Sequence, residues 1–446
     1  MRMGFHASSQ HVRPTSLLLT TCLMTACILS AADVQPQIPT GPGKYNGPGS
    51  CSSTSCHGGV QPRSETTVLQ NEYSTWAVRD KHTHAFMVLS NDVGKRMGRI
   101  LNVEPEKNKK CTDCHALVVP EDQRARTFDS NDGVSCENCH GPASNWLGPH
   151  TTRDWKYEKS VELGMYDTRD LVKRIERCLS CHLGTTEKYV DHEMIAAGHP
   201  DLYFEQASFE AVMPRHWKDY TKDPWIEVRT MATGQAIQLR ENMRRIARDA
   251  NRLWPEYAEL DCFACHHSLT AAKDSWRQER GYPGRRAGNP PWNPSRYAIF
   301  QHVVKEADAS GAQQLDEAVK HAMTVVSDIT ADRSQIASAA TSAAEVADRV
   351  ARRITTMQFD QATTMRLLRA ISADGDRIAS EGERCAEQAA MALDALYIAY
   401  SSNEKPGNEQ QVRAAINAMF PGFESPSAYS PGPFARQMRT VNGMLR

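Results

Sequence analysis

Residues 133–142 read GVSCENCHGP, in which Cys136 and Cys139 are separated by two residues and followed directly by His140. The same spacing recurs in CTDCH (111–115), CLSCH (178–182) and CFACH (262–266). A variant with four residues between the cysteines, CSSTSCH, occupies residues 51–57. All five motifs lie in the first two thirds of the chain, and the fold of that part must accommodate them.

Paired cysteines followed by histidine are typical of covalent haem c attachment. Each cysteine sulfur bonds one vinyl group of the porphyrin, and the adjacent histidine is the proximal ligand of the iron. We therefore predict five haems c. The predicted attachment residues are Cys51, Cys56, Cys111, Cys114, Cys136, Cys139, Cys178, Cys181, Cys262 and Cys265. The predicted proximal ligands are His57, His115, His140, His182 and His266.

Other uses of paired cysteines fit less well. CxxC also forms half of many zinc sites, but zinc does not require histidine at the next position. Histidine is 16 of 446 residues, so five such coincidences have a probability on the order of one in ten million. Disulfides across a two-residue gap are redox motifs, and five in one chain would be unusual. The four-residue gap after Cys51 is a rarer variant of the haem motif.

Residues 1–32 have the pattern of a secretory signal peptide. Arg2 and Arg13 give a positive start, and the apolar run over 16–30 is shorter than the ~20 residues of a membrane-spanning helix. A lipoprotein signal ending at Cys27 is the less favoured alternative. Because haem is attached to cysteine outside the cytoplasm, we predict an exported, periplasmic or otherwise extracytoplasmic protein with no transmembrane helix in the mature chain.

Composition divides the rest of the chain into three parts. Residues 33–50 are a Pro- and Gly-rich, extended lead-in, residues 51–295 a pentahaem cytochrome c domain, and residues 296–446 an α-helical domain without motifs. Cys385, the one cysteine outside the signal and the motifs, is predicted to be a buried small side chain. The net charge is −1 and no basic stripe is present, which argues against a nucleic-acid partner.

The predicted fold class is mainly α, with little regular structure around stacked haems and a C-terminal helical bundle. Burial of the apolar porphyrin faces would replace part of a side-chain core. Thr168 is predicted to cap a helix that leads into the fourth motif. Apolar residues at spacings of three and four predict C-terminal helices over 297–308, 315–329, 336–357 and 378–400. The tail after Ser401 is predicted to be irregular, apart from a short helix around 412–420.

Low-spin haem needs a second axial ligand, and imidazole is the commonest in multihaem chains. The predicted distal ligands are His84, His150, His192, His199 and His216. His192 and His199 would share one face of a helix that Gly198 ends. The weaker alternatives are His82, His267, Met194 and Met213. His302 and His321 fall in the helical bundle and are expected to be ordinary side chains.

Several of these segments resemble the cytochrome c-554 family of multihaem electron carriers. The resemblance covers about residues 45–185 and rests on the first motif, THAFM (83–87), the second motif, GVSCENCHGP (133–142), His150 and ERCLSCHL (176–183). It implies distal roles for His84 and His150, the latter at the first haem, and a second haem with no sixth protein ligand at His115. It also implies closely stacked haem pairs. The longer gap of the first motif, the fifth motif and the C-terminal third depart from the family.

Two main functions follow from this ligand supply. The favoured one is an electron carrier whose haems are mostly bis-histidine, exchanging electrons with redox partner proteins or acting as a subunit of a larger electron-transfer complex. The alternative is a multihaem oxidoreductase that acts on a small nitrogen or sulfur compound at one open iron. Whether the chain is an enzyme stays open at this point, although no motif ends in the lysine of ammonia-forming nitrite reductases.

Overall fold

The computed structural model describes residues 42–266, 289–423 and 429–445. The predicted signal peptide, Cys27, most of the lead-in and His267 lie outside the described residues. The protein is mainly α, as predicted. No strand forms among the described residues, where pairing is limited to two isolated bridges, Tyr45 with Arg124 and Leu260 with Trp292.

The helices of the motif-bearing part are mostly short, and one is long. They are α1 (Glu72–Arg79), α2 (Asp92–Leu101), α3 (Lys109–His115), α4 (Cys136–His140), α5 (Tyr157–Glu162), α6 (Leu171–His182), α7 (His192–Ala197), α8 (Gln206–Val212) and α9 (Ile226–Ala250). Short 3-10 turns lie at Pro48–Cys51, Lys81–His84, Met87–Ser90, Glu121–Gln123, Ser130–Asp132, Pro149–Thr151, Tyr257–Glu259 and Cys262–Ala264.

The C-terminal part is almost wholly helical. Its helices are α10 (Ser295–Ala298), α11 (Phe300–Ala307), α12 (Ala309–Val326), α13 (Arg333–Ile354), α14 (Gln361–Ala373), α15 (Gly375–Ser380), α16 (Glu383–Glu404), α17 (Glu409–Asn417) and α18 (Pro431–Met444), with a 3-10 turn at Phe420–Phe423. None of the described helices is both long and apolar enough to span a bilayer.

Local capping decides where the helices near the motifs begin and end. The Asp170 side chain accepts a hydrogen bond from the Lys173 amide and caps α6, so the prediction that Thr168 is the cap was wrong. Asp191 caps α7 in the same way, through the Met194 amide. Gly198 ends α7 with φ of 114°, a conformation that glycine adopts without steric cost, as the sequence predicted.

The C-terminal pattern located most of the helical segments but missed α14 and two further features. The apolar run over 378–400 is two helices, because Gly382 has φ of 107° and breaks the backbone between α15 and α16. The tail is not irregular: Pro431 lies at the start of α18, where its missing amide costs no hydrogen bond. Cys385 is fully buried, as predicted.

The longest helix, α9, was not predicted from sequence. Its buried residues include Thr230, Gln235 and Gln238 beside Ile237 and Met243. Because α9 is covered on most sides, polar residues lie in its buried surface and the amphipathic pattern that marks a half-exposed helix is weak. α9 packs along α13 and also contacts α6, α8 and α16.

Buried apolar side chains are unevenly distributed. One large cluster joins α6, α8 and α9 to the C-terminal helices. Before residue 171, the described chain has a small cluster of Tyr45, Leu117 and Val119, with Phe128 against it. The motif-bearing segment thus has little side-chain core of its own. The predicted domain boundary between residues 295 and 296 stays a prediction.

A buried arginine of α9 connects α6, which carries the fourth motif, to α13. Arg240 of α9 donates to Glu176 of α6 at 2.5 Å and to Asp348 of α13 at 2.8 Å, and its Nε donates to Glu241 at 2.7 Å. Arg240 is 3% exposed. Charged hydrogen bonds of this kind are strong when every group has a partner.

We expect Arg240→Met to destabilise the protein by about 3–5 kcal/mol, because it removes the buried cation shared by the buried Glu241 and the half-buried Glu176 and Asp348. Denaturant unfolding followed by circular dichroism measures the effect. Arg352→Met is the matched control, since exposed Arg352 also contacts Asp348 and an exposed pair contributes about 0–1 kcal/mol. Equal stability of the two variants would contradict this role of Arg240.

Candidate haem sites

Helical turns shape three of the motifs. The second, third and fourth motifs lie in α3, at α4 and at the end of α6. In a helix, residues three and four apart lie on one side, so both cysteines and the histidine face the same region. Asn108 caps α3 through the Lys110 amide, and Ser135 with Asn138 forms a capping box on α4.

The first and fifth motifs differ in length, but each contains a hydrogen bond from the histidine amide to the carbonyl of its first cysteine. The His266 amide donates to the Cys262 carbonyl at 2.8 Å, and the His57 amide donates to the Cys51 carbonyl at 3.3 Å. The two additional residues of the first motif lie in the turn between these groups. The longer gap therefore preserves the position of the histidine relative to the first cysteine.

Four motif histidines each face a second histidine ring. The centroids of His57 and His150 are 6.1 Å apart with planes at 10°, and those of His82 and His182 are 6.0 Å apart at 88°. The remaining pairs, each 6.3 Å apart, are His115 with His199 at 88° and His192 with His266 at 34°.

The histidine of the third motif, His140, lies near His216. Burial, with smaller contributions from the neighbouring His216 and His57, lowers the pKa of His140 to about 4. Burial likewise lowers the pKa of His182 to about 4. Both rings are therefore neutral at pH 7, which is the form that binds metals.

Hydrogen bonds fix the tautomer of several of these rings. His57 Nδ1 contacts Glu72 and His82 Nδ1 contacts Asp80, both at 2.9 Å, while His115 Nδ1 contacts the Ala85 carbonyl at 2.8 Å. The same role is filled by carbonyl oxygens for His150 (Leu147, 2.6 Å), His199 (Pro200, 2.7 Å) and His216 (Pro214, 3.0 Å). An Nδ1 that donates to oxygen leaves Nε2 free as a metal ligand.

Carboxylates raise the pKa of two of these histidines. The hydrogen bond to Glu72 raises the pKa of His57. For His82, burial acts to lower the pKa, but the hydrogen bond and charge of Asp80 together outweigh it and the pKa is raised. Each carboxylate makes its ring more basic, as second-shell partners of metal-bound histidine do.

Cysteines of different motifs lie close together. Cys51 lies close enough to Cys136, and Cys114 to Cys181, for each thiol to shift the pKa of the other. Cys178 and Cys139 interact electrostatically. The first motif is therefore next to the third, the third is next to the fourth, and the fourth is next to the second.

Glu137, between the two cysteines of the third motif, anchors the segment before the first motif. Its buried carboxylate accepts hydrogen bonds from the amides of Asn46 (2.9 Å), Gly47 (2.7 Å) and Ala143 (2.8 Å). Burial raises the pKa of Glu137, and the backbone donors oppose that rise.

The structure brings together some predicted residues and leaves others apart. His150, His192 and His199 each face a motif histidine, and His216 lies near His140. His84 is exposed, and the ring opposite His182 is instead that of the weaker candidate His82. The signal for His82 in the sequence was Asp80, two residues earlier, whose carboxylate orients the ring.

Two other outcomes bear on the ligand set. His302 pairs with Asp374 at 2.8 Å in the helical bundle and His321 is exposed. No cluster of three or more His, Cys, Asp or Glu side chains within the described ranges is placed to hold a bare metal ion. The cysteines of the motifs thus do not assemble into zinc-type sites there.

Comparisons with known proteins agree with the motif analysis. Residues 51–141 match the family model described as cytochrome c554 and c-prime. The chain is 31% identical over 116 residues to cytochrome c-554 of Nitrosomonas europaea, a match that covers 23% of this chain and 48% of that protein. The chain spans about half the length of this curated relative. No solved structure matches the chain. The chain is thus a c-type cytochrome that resembles the cytochrome c-554 family.

Proposed function

We propose that this chain is an exported electron carrier with five covalently attached haems c, each held by two histidines. When bound, haem c supplies an iron that exchanges one electron. The chain supplies the thioether cysteines, the axial imidazoles and the surroundings that set each reduction potential.

The spacing of the paired rings is the observation that carries this proposal. A metal–nitrogen bond to imidazole is about 2.0 Å, and a ring nitrogen lies about 1.1 Å from the ring centre, so two imidazoles on opposite sides of one metal have centroids about 6 Å apart. The four observed separations are 6.0–6.3 Å. Aromatic rings in direct contact also have centroids about 4.5–7 Å apart, so the spacing supports the proposal together with the Nδ1 hydrogen bonds that leave Nε2 free on several of these rings.

Four of the proposed axial pairs follow from the ring distances, and the pair of His140 with His216 is supported by the electrostatic influence of His216 on His140. The five pairs are His57 with His150, His115 with His199, His140 with His216, His182 with His82, and His266 with His192. His84 remains a sequence prediction and is not part of this set. The pairing of His57 with His150 agrees with the role that the family resemblance implies for His150.

An order of the sites also follows. The cysteine contacts support the sequence first, third, fourth and second motif. α7 extends it, because His192 at one end of the helix faces the fifth motif and His199 just past the other end faces the second. Electrons would therefore enter and leave near the two ends of this order, the first and fifth motifs. At the fifth motif, Cys262, Cys265 and His266 are exposed.

The alternative function, reduction or oxidation of a small compound, requires an open iron position. The resemblance suggested the second motif for it. Here His199 faces His115 at 6.3 Å with its Nδ1 bonded to the Pro200 carbonyl, so its Nε2 is available at that position. The supply of ligands therefore favours the electron carrier. We propose redox proteins as its partners and the periplasm as its location.

The mature protein should exceed its polypeptide mass by five haem groups. Cys51→Ser combined with Cys56→Ser should lose one haem, because no thioether can form at the first motif. Intact-protein mass spectrometry and the absorbance of the reduced protein both measure the count. A surplus of four in the unaltered protein, unchanged by the double substitution, would remove the first motif from the set.

The oxidised protein should show only low-spin haem by electron paramagnetic resonance, unchanged by cyanide or nitrite. His199→Ala should convert one haem to a high-spin form that binds added ligands, because it opens the position opposite His115. Added imidazole should restore the low-spin spectrum. A ligand-binding high-spin haem already present in the unaltered protein would favour the oxidoreductase instead.

Neighbouring histidines provide a matched pair of variants. His82→Ala should create one high-spin haem, whereas His84→Ala should leave the spectrum unchanged, because His82 faces His182 and His84 is exposed. The same spectra with and without imidazole measure both. A high-spin haem in His84→Ala and none in His82→Ala would reverse the assignment.

A further inference from the structure

The first four motifs meet in pairs at two junctions, each made by one cysteine from either motif. At the first–third junction Cys51 lies close to Cys136, and at the second–fourth junction Cys114 lies close to Cys181. Under the proposed function each junction joins the thioether edges of two haems. A charge held at a junction therefore acts on both of the haems that meet there.

Glu137 is the charged side chain at the first–third junction. It lies between the two cysteines of the third motif and is 2% exposed. Both of its carboxylate oxygens accept hydrogen bonds from backbone amides, those of Asn46, Gly47 and Ala143. Amides can only donate, so these contacts favour the ionised carboxylate. Asn46 and Gly47 lead directly into the 3-10 turn that ends at Cys51, which places the negative charge beside both motifs.

Lys188 is the charged side chain at the second–fourth junction. Its Nζ donates to the Asp113 carbonyl, between the cysteines of the second motif, at 2.9 Å and to Cys181 Sγ of the fourth motif at 3.1 Å. The Thr185 hydroxyl accepts from the Lys188 amide at 3.2 Å and holds the turn after α6 that carries this side chain. Lys188 is half-buried, and because lysine has an ordinary pKa of about 10.4, its ammonium is charged at pH 7.

Neither charge is in an ion pair within the described ranges. Backbone amides are the main groups that oppose the effect of burial on Glu137. Burial acts to lower the pKa of Lys188, and the neighbouring thiols of Cys181 and Cys114 outweigh it. Once haem is attached these sulfurs are uncharged thioethers, so Lys188 then contacts only neutral acceptors. Its positive charge is therefore not cancelled locally.

The other charges near these junctions are paired or lie between them. Asp113 also faces the second–fourth junction, but its carboxylate pairs with Lys109 at 3.4 Å. Its influence on Cys114 is smaller than that of Lys188. Arg177 influences both the third motif and Lys188, so its charge acts on the two junctions together and does not distinguish them.

Carboxylates bonded to axial histidines do not distinguish the junctions either. Glu72 accepts from His57 of the first motif, and Asp80 accepts from His82, which faces the fourth. Each pair of motifs thus has one ring whose basicity a carboxylate raises. The difference that remains between the junctions is the negative charge at one and the positive charge at the other.

We propose that Glu137 and Lys188 set a difference in reduction potential between the two haem pairs of the first four motifs. Negative charge favours oxidised iron and positive charge favours reduced iron, so the first–third pair has the lower potentials and the second–fourth pair the higher. An electron delivered by a donor protein at the first motif then moves downhill from the third motif to the fourth. An acceptor protein would remove it near the fifth motif. This inference rests on the proposed function and adds a direction to it.

Two marked backgrounds allow each junction to be measured separately. His150→Ala should open the iron of the first motif and His199→Ala that of the second, so each background has one high-spin signal in electron paramagnetic resonance. Redox titration of that signal gives the potential of one known haem. Glu137→Gln and Lys188→Gln are each introduced into both backgrounds. Lys320→Gln is the control, because exposed Lys320 lies in α12 of the helical bundle.

The two substitutions should act in opposite directions on different haems. In the His150→Ala background, Glu137→Gln should favour the reduced form of the marked haem about tenfold, a rise of about 59 mV for a one-electron couple. In the His199→Ala background, Lys188→Gln should lower the marked potential by about 59 mV. Each should leave the other marked haem at its control value. Lys188→Arg, which keeps the charge, should keep the potential and tests the inference even if Glu137→Gln does not fold.

The outcomes separate this inference from the function it rests on. Five haems by mass spectrometry in every charge variant made without a marking substitution, with marked potentials equal to the control, would overturn the charge assignment alone. A variant that shifts both marked haems by the same amount would also overturn it, because its charge would then not be local to one junction. Absence of haem at these motifs in the unaltered protein would instead overturn the proposed function.

Discussion

Pairs of imidazole rings held about 6 Å apart are the constraint on which the motif-bearing part depends. Under the proposed function each ring leaves Nε2 free for iron and keeps a fixed direction, and a hydrogen bond from Nδ1 achieves both. Glu72, Asp80 and the carbonyls of Ala85, Leu147 and Pro200 accept such bonds. The short helices and 3-10 turns of this region position these acceptors, so much of the irregular backbone serves to orient the histidine rings.

This constraint explains the uneven core. Before residue 171 the described chain buries few apolar side chains, whereas α6, α8 and α9 share one continuous core with the C-terminal helices. Large apolar porphyrins would supply the missing burial in the first region. The second region is stabilised by ordinary helix packing, within which Arg240 of α9 joins α6 to α13 through Glu176 and Asp348.

Sequence patterns predicted what local chemistry determines. Cysteine spacing located the motifs, and apolar periodicity located α12, α13 and most of α16. The patterns did not predict α9, because a helix surrounded by protein has no polar face to reveal its period. They favoured His84 over His82, because the local signal of Asp80 was not used and because the place that α6 gives to His182 is a tertiary fact. The break at Gly382 was missed because the apolar spacing continues across it.

The fifth motif differs from the others in how its surroundings are assembled. The first four motifs lie within 51–182, and their cysteines influence one another electrostatically. The fifth motif is linked to the second through α7, whose His192 faces His266 and which is followed by His199 facing His115. The segment before it pairs with the C-terminal part, through the bridge between Leu260 and Trp292 and the hydrogen bond from Arg384 to the Ala258 carbonyl. A haem site added to a four-motif arrangement needs a new axial ligand and a new apolar wall. Under the proposed function His192 of α7 would be that ligand, and the fifth motif would depend on the helical region that holds the segment before it.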